Sequence, residues 1–141
     1  MQGLLGAVWL YAADVPRAVA FYRDTLGLPP LEEPGHVAHF DAGGVRLSIH
    51  PAPGADVGSG GFYVFVVADI AGEVETLTAR GVEFPRGIRE EPFGPIAEFR
   101  DPDGHELFLW QLPAEGDAEF EHVRPLVQHY QRVAAALGRS V

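Results

Sequence analysis

The sequence predicts an α+β fold in which two tandem β-α-β-β-β units are followed by a C-terminal helix. Three observations lead to this prediction. An apolar strand, a helix opened by an aspartate and a glycine-rich hairpin occur twice, and the two helix caps, Asp14 and Asp69, lie 55 residues apart. A Pro/Gly/Ser-rich stretch at 52–60 separates the copies, and an amphipathic segment ends the chain. Because neither copy can cover its own apolar sheet face, the 141 residues are expected to form one domain.

The first unit opens with the apolar run at residues 4–12, which is rich in bulky side chains and predicts a buried strand. Asp14 is a good helix N-cap, and the apolar spacing after it predicts a helix from Val15 to Leu26. Two strands, 36–41 and 45–50, then flank the sequence DAGG, whose glycines suit a tight hairpin turn.

The second unit repeats this order. Residues 62–68 form a strongly apolar strand, Asp69 caps a helix, and two later strands flank the turn DPDG at 101–104. The last strand is predicted at 105–111. The resulting boundaries are unit one at 4–51, linker at 52–60, unit two at 61–112 and C-terminal helix at 117–138.

The C-terminal segment carries apolar residues at helical spacing from Val123 to Leu137, with Pro125 either starting the helix or kinking it. Such a helix can pack on the outside of the domain, form a dimer contact or cover a pocket. The sequence leaves these three roles open.

Composition excludes several kinds of chemistry. The chain has no Cys, which removes disulfides, zinc–thiolate sites, iron–sulfur clusters and thiol nucleophiles. All ten basic residues are Arg, so Schiff-base chemistry and P-loop phosphate binding are also excluded. Lys and Asn are both absent, and since both have A/T-rich codons, a GC-rich bacterial genome is expected.

The net charge of -10 argues against nucleic-acid binding, which needs cationic side chains on the phosphates. Neutral or cationic small molecules suit this charge better. No basic-then-apolar leader opens the sequence, and the longest apolar stretch is about half of a membrane span. We therefore expect a cytoplasmic protein that binds no membrane.

These units resemble the vicinal oxygen chelate superfamily, which includes glyoxalase I, bleomycin-resistance proteins and extradiol dioxygenases. The resemblance covers residues 4–112 and implies cup-shaped mixed sheets. It rests on four motifs: Asp14-Val15-Pro16-Arg17-Ala18-Val19-Ala20-Phe21-Tyr22, Leu26-Gly27-Leu28, the strand–helix start from Tyr63 to Ile70, and Asp101-Pro102-Asp103-Gly104 with the strand that runs to Gln111.

The resemblance also implies where metal-using members carry their ligands, one His or Glu on each of four strands. Those positions here are Ala7, Ser48, Tyr63 and Phe108, none of which is a usual ligand. A shift by one residue finds no substitute, because the neighbours Gly6, Val8, Leu47, Ile49, Phe62, Val64, Leu107 and Leu109 are all apolar or Gly. No metal and no other cofactor are therefore expected.

The histidines do not suggest another metal centre. With DAGG as the turn, His39 is expected opposite Arg46, which places His50 about 13 Å away at ~3.3 Å per residue. That separation is too large for two ligands of one ion. His105 beside the DPDG turn is expected to face solvent, as are His122 and His129 on the C-terminal helix.

Strand alternation predicts an aromatic cup with a few polar groups, the usual character of a ligand pocket. The aromatic residues could instead fill a closed core, but a core has no use for Arg, Ser and His on the same face. The candidate ligand-binding residues are Trp9, Tyr11, His39, Arg46, Ser48, His50, Tyr63, Phe65, Phe108 and Trp110.

The resulting hypothesis is a metal-independent binding protein of the bleomycin-resistance type. It would sequester an aromatic or cationic drug or natural product, and so confer antibiotic resistance, and it would form a homodimer. The alternative is a glyoxalase- or dioxygenase-like enzyme with a non-standard or metal-free site, in which His39 or His50 acts as a general base and Arg46 steadies an oxyanion. A structural or regulatory module whose cup is only core is the third possibility.

Overall fold

A computed structural model of the chain describes residues 7–52, 57 and 62–141. These residues form two sheets and three α-helices, so the predicted α+β class is confirmed. The strands are β1 Ala7–Ala12, β2 Ala38–Asp41, β3 Arg46–Pro51, β4 Tyr63–Val67, β5 Ile88–Arg89, β6 Ile96–Arg100 and β7 Glu106–Gln111, and the helices are α1 Val15–Val19, α2 Ile70–Ala79 and α3 Phe120–Ala136.

The chain divides into two compact units. The first combines the described part of residues 1–61 with Asp101–His105, and the second combines Phe62–Arg100 with Glu106–Val141. The turn DPDG therefore belongs to the first unit, although both of its flanking strands belong to the second. The predicted linker at 52–60 lies outside the described residues except for Ala52 and Val57.

The sheet of the first unit has the strand order β1-β3-β2, with β1 parallel and β2 antiparallel to β3. Asp14 caps α1 as predicted, its carboxylate accepting a hydrogen bond from the Arg17 N–H at 3.0 Å. The predicted helix 15–26 continues beyond α1 as a π-helix at Ala20–Thr25. The core between this helix and the sheet consists of Leu10, Ala12, Val15, Ala18, Val19, Tyr22, Ala38, Phe40, Leu47 and Ile49.

The first hairpin differs from its predicted register. The loop has two central residues, Gly43 and Gly44, both with φ near +88°, a conformation that favours glycine. The prediction treated all four residues of DAGG as the turn and placed His39 opposite Arg46. In the structure His39 pairs with Ser48. This shift brings His39 close to His50, and the predicted separation of about 13 Å is wrong.

The first unit also has one strand fewer than the second among the described residues. Where the second unit has β5, the first has only an isolated bridge between Pro30 and Phe40. Pro29 and Pro30 lack the N–H groups that a longer ladder requires.

A buried hydrogen-bond network joins the π-helix to the DPDG turn. Asp101 accepts hydrogen bonds from the Tyr22 hydroxyl at 2.8 Å and from His105 Nδ1 at 2.6 Å. The backbone N–H groups of Asp103 and His105 also donate to its carboxylate, each at 2.9 Å. His105 is only 3% exposed, so the prediction that it faces solvent is wrong. The network could not be predicted from the sequence, because its partner Tyr22 is distant along the chain and approaches the turn only in the folded protein.

The sheet of the second unit has the strand order β4-β7-β6-β5. Asp69 caps α2 as predicted, accepting a hydrogen bond from the Gly72 N–H, and Gln111 Oε1 accepts one from the Ile70 N–H. The apolar core of this unit contains Ile70, Leu77, Val82, Ala97, Phe99, Leu107 and Leu109.

The side chains of strand β4 lie on the opposite faces of the sheet to those predicted. Tyr63 pairs with Leu107 and Phe65 with Leu109, so both aromatic residues share the face of the buried leucines. Val64 pairs with Phe108, and Val66 with Trp110. The predicted grouping of Tyr63 and Phe65 with Phe108 and Trp110 is therefore wrong. Every position in this strand is apolar or aromatic, so no polar–apolar alternation indicates which side chains face the core.

The C-terminal helix α3 contains Pro125 in its interior, so this proline does not start the helix. Phe120 and Val127 of α3 are buried in one cluster with Trp110 and Leu112, and Val66, Ile96, Val123, Tyr130 and Val141 pack against this cluster. The helix thus covers part of the sheet face of Phe108 and Trp110. In the described part of the chain, none of the helices is sufficiently long and apolar to cross a membrane.

Candidate functional site

One candidate site is the side of the first sheet opposite the apolar core of that unit, called here the first open face. Side chains that pair across neighbouring strands lie on the same side of a sheet. Trp9, Ser48 and His39 form one row across β1, β3 and β2, and Tyr11 and His50 form the next. Alternation along these strands produces both rows, because Leu10, Leu47 and Ile49 point into the core instead.

Aromatic rings dominate this face. Trp9 stacks on His50 with ring centroids 4.3 Å apart and an angle of 25° between the planes. Tyr11 approaches the same imidazole edge-on at 6.5 Å. Trp9 nevertheless remains 57% exposed, so its outer face is open to a further flat ring.

The two histidines of the face have different environments. His39 Nδ1 lies 2.7 Å from Glu32 Oε1, a hydrogen bond in which the imidazole donates to the carboxylate. His50 has its ring centroid 6.3 Å from that of His39. Burial lowers the pKa of His50, and the positive charges of His39 and Arg46 lower it further. His50 is therefore neutral at neutral pH, because its ordinary pKa is already about 6.5.

Two polar atoms of the first open face are buried without a hydrogen-bond partner among the described residues. They are Ser48 Oγ and His50 Nε2. An unsatisfied buried polar atom costs roughly 1–3 kcal/mol, so native proteins hold few of them. Both lie beside Trp9, on the face whose outermost ring is exposed.

The predicted site residues divide into three groups. The structure brings Trp9, Tyr11, His39, Ser48 and His50 together, and exposed Arg46 lies in the next row of the same face, opposite Asp41. Phe108 and Trp110 share a face of the second sheet. Tyr63 and Phe65 lie on the other face of that sheet.

A cavity of about 370 Å³ lies within the second unit. The sequence-based set contains only two of its lining residues, Phe108 and Trp110. Predicting the other six lining residues would require knowing which face of the sheet each β4 side chain occupies and where α3 packs. All eight are Phe62, Val64, Phe93, Ile96, Phe108, Trp110, Val123 and Leu126.

Trp110 is both a wall of this cavity and a core residue. It is 9% exposed and lies against Tyr130 of α3 in an edge-to-face contact at 5.8 Å. Its Nε1 donates to the Phe93 carbonyl at 3.0 Å. Gly94, at φ +113°, brings this loop against the backbone, because a Cβ there would lie 2.3 Å from the Gln111 carbonyl oxygen.

The residues present do not fit the metal of the metal-using members. Ser48 supplies only a hydroxyl, and Phe108 has no donor atom. Tyr63 lies on the opposite face from Phe108, and its chain neighbours Phe62 and Val64 have no donor atom either. Across residues 7–52, 57 and 62–141, no three His, Asp or Glu side chains form a group that could hold a metal ion. His39 and His50 are close enough to be considered together but lack a third ligand.

We expect purified protein to carry no stoichiometric zinc, nickel, manganese or iron, because the donor set for such an ion is missing. Mass spectrometry of the native protein checks the metal content, and a chelator should leave the melting temperature unchanged. One metal ion per subunit would contradict this expectation.

Comparison with known proteins identifies relatives at the level of family and fold. The family model described as Glyoxalase/Bleomycin resistance protein/Dioxygenase superfamily matches residues 4–109. Among curated proteins, none matches the chain closely enough to count as a relative.

Several solved structures are similar to the chain. TnmS3, an antibiotic binding protein from Streptomyces sp. CB03234, is 25% identical with a TM-score of 0.71, covering 79% of this chain and 97% of its own. Oxidase ChaP-H2 is 25% identical with a TM-score of 0.64, covering 84% and 99%. Lactoylglutathione lyase from Agrobacterium tumefaciens is 24% identical with a TM-score of 0.64, covering 79% and 95%. The last of these likenesses shows the fold alone.

Proposed function

Because the chain belongs to the glyoxalase/bleomycin resistance protein/dioxygenase superfamily, we propose that it is a metal-independent protein that binds and sequesters a planar aromatic drug or natural product. The observation that carries the proposal is the first open face, where Trp9 is stacked on His50 and still exposes its outer surface. The same face holds Ser48 Oγ and His50 Nε2, which are buried without a hydrogen-bond partner among the described residues, and an exposed aromatic ring beside such polar groups is typical of a ligand site.

The ligand lies flat on the outer face of Trp9. Tyr11 and His39 both approach His50, the ring on which Trp9 stacks, and are placed to meet polar groups on the ligand's edge. Glu32 orients His39 by accepting a hydrogen bond from its Nδ1–H, which leaves Nε2 as the ring nitrogen for the ligand. The ligand class is therefore a planar ring system that carries a polar group on its edge.

The charge of the protein favours a ligand that is neutral or cationic. A net charge of -10 attracts cations over long distances and repels anions. A cationic ring also gains from the faces of Trp9 and Tyr11. The likeness to TnmS3, which is described as an antibiotic binding protein, supports the same class of function.

Trp9→Ala tests this proposal. The change removes a stacking partner worth about 0.5–1.5 kcal/mol beyond its buried area and apolar contact worth roughly 1.5–3 kcal/mol. Affinity should fall by about one to three decades. Isothermal titration calorimetry with neutral 1,8-dihydroxyanthraquinone measures this loss.

Trp9→Phe is the matched variant, since it keeps an aromatic ring and should restore most of the affinity. Trp9 is largely exposed, so neither variant should change the melting temperature by more than a few degrees. Equal affinities for the original chain and Trp9→Ala would contradict the proposal.

A second candidate function is a metal-free enzyme with the same fold. It is favoured by the carboxylate–imidazole pair of Glu32 and His39 and by neutral His50 close to it, an arrangement suited to proton transfer. Mass analysis of the ligand after long incubation separates the two functions. A binding protein returns the ligand unchanged, whereas an enzyme converts it at a rate that His39→Ala abolishes.

We also propose that the chain forms a homodimer. Leu31 and Ile88 are examples of large apolar side chains that remain exposed in the single chain, and a self-complementary contact would cover such residues. Light scattering at micromolar concentration should give the mass of two chains. The mass of one chain would contradict the dimer.

A further inference from the structure

The cavity of the second unit has walls of two origins. Strands β4, β6 and β7 supply Val64, Ile96, Phe108 and Trp110, and α3 supplies Val123 and Leu126. The family model ends at residue 109, before α3 begins at Phe120. One wall is therefore built by a helix that lies beyond the matched part of the chain.

The interior of the cavity is apolar throughout. Its lining side chains carry a single polar atom, Trp110 Nε1, and the Phe93 carbonyl already accepts the hydrogen bond from it. The cavity is open on one side, with Phe62 and Val64 more than half exposed, but its walls offer water few hydrogen-bond partners and a charged group held against them would lose part of its hydration without compensation. The cavity therefore favours hydrocarbon, and its four aromatic rings favour a flat aromatic molecule.

The volume sets the size of that molecule. An engineered apolar cavity of about 150 Å³ in another protein takes up benzene. A cavity of about 370 Å³ accordingly accepts two to three fused rings.

One carboxylate lies beside the apolar lining. Glu98 pairs with Phe108 across β6 and β7, so it shares the sheet face that lines the cavity. Glu98 is half-buried and has no ion-pair or hydrogen-bond partner in the described part of the chain. Glu106, two residues before Phe108, is instead paired with Arg100 at 3.1 Å. Glu98 thus remains available to a positive charge from outside the protein.

We propose that this cavity binds an aromatic molecule of two to three fused rings that carries one cationic amine. The ring system fills the space between α3 and the second sheet, and the ammonium group meets Glu98 at the edge of the apolar surface. This site shares no residue with the first open face and stands independently of the function proposed there.

Three naphthalene compounds of similar shape test the charge requirement. They are 2-(1-naphthyl)ethylamine, which is cationic at neutral pH, 2-(1-naphthyl)ethanol, which is neutral, and 1-naphthylacetate, which is anionic. Calorimetric titration of the full chain should show that the amine binds about tenfold more tightly than the alcohol and that the carboxylate does not bind. Glu98→Gln should make the amine and the alcohol equal.

Leu126 within α3 and Leu137 at the C-cap of α3 provide a matched pair for the apolar wall. Leu126 lines the cavity and Leu137 does not, and both are 41% exposed. Leu126→Ala should weaken binding of the amine about fivefold, and Leu137→Ala should change it by less than about twofold. Equal effects of the two variants, or an alcohol that binds as tightly as the amine, would overturn the proposal.

Light scattering with and without the amine tests whether a second copy of the chain occupies the cavity. A change in oligomeric state caused by the amine or by Leu126→Ala would overturn the proposal in favour of that occupant.

Trp9→Ala separates the two binding sites. It should weaken binding on the first open face by about one to three decades and leave binding of the naphthyl amine unchanged.

Discussion

Replacing Asp101 with alanine is expected to lower the free energy of unfolding by about 3–5 kcal/mol, the usual cost of breaking a buried charged network. Asp101 accepts four hydrogen bonds, from the Tyr22 hydroxyl, from His105 Nδ1 and from the backbone N–H groups of Asp103 and His105. Alanine removes the acceptor of all four. Urea denaturation followed by circular dichroism measures the change.

Asp24→Ala is the control for this experiment. Asp24 is exposed and forms a surface ion pair with its neighbour Arg23, so its removal should leave the unfolding transition unchanged. A transition of Asp101→Ala that coincides with that of Asp24→Ala would contradict the role assigned to the network.

The stability that Asp101 supplies should depend on pH. Burial opposes ionisation of this carboxyl, but hydrogen bonds from His105 and Tyr22 outweigh it and hold the pKa of Asp101 below its usual range. Because the folded-state pKa is the lower one, the contribution is complete above the unfolded pKa of about 3.9 and is lost as the pH falls through the folded pKa. The difference in stability between the original chain and Asp101→Asn should therefore narrow only below about pH 4.

Trp110→Ala is expected to destabilise the fold by about 3–5 kcal/mol, because the ring packs with Leu112, Phe120 and Val127 and leaves a cavity when it is removed. The melting temperature should fall by roughly 10–20 °C. The sequence alone left two outcomes open for this change, loss of ligand affinity or loss of stability, and the 9% exposure of Trp110 favours the second.

Trp9→Ala is the matched comparison, because Trp9 is the second of the chain's two Trp residues to be tested and is 57% exposed. Differential scanning calorimetry of both variants should show a large decrease for Trp110→Ala and a small one for Trp9→Ala. Melting temperatures that fall equally in both variants would contradict the division between core and open face.

The sequence predicted those parts of the fold that local chemistry determines. Asp14 and Asp69 were recognised as caps because an N-cap needs only a carboxylate and the following turn. The two faces were predicted correctly along β1 and β3, because polar Ser48 and His50 alternate there with Leu47 and Ile49 and so show which side chains form the apolar core.

Other features depend on contacts that no local pattern contains. Strand β4 is apolar throughout, so nothing in its sequence showed that Val64, and not Tyr63, lies beside Phe108. A hairpin with two central glycines moved His39 from Arg46 to Ser48. The cavity of the second unit depends on where α3 packs, which is a matter of tertiary structure.

The central claim is that a planar ligand stacks on Trp9, and two-dimensional ¹H–¹⁵N NMR tests it most directly. The two indole N–H signals can be assigned with Trp9→Phe and Trp110→Phe, and then followed during titration with neutral 1,8-dihydroxyanthraquinone. The Trp9 signal should move saturably under the ring current of the ligand, while the Trp110 signal, held by the Phe93 carbonyl, stays in place. A Trp9 signal that remains fixed at saturating concentrations of this compound, or a response confined to Trp110, would contradict the claim.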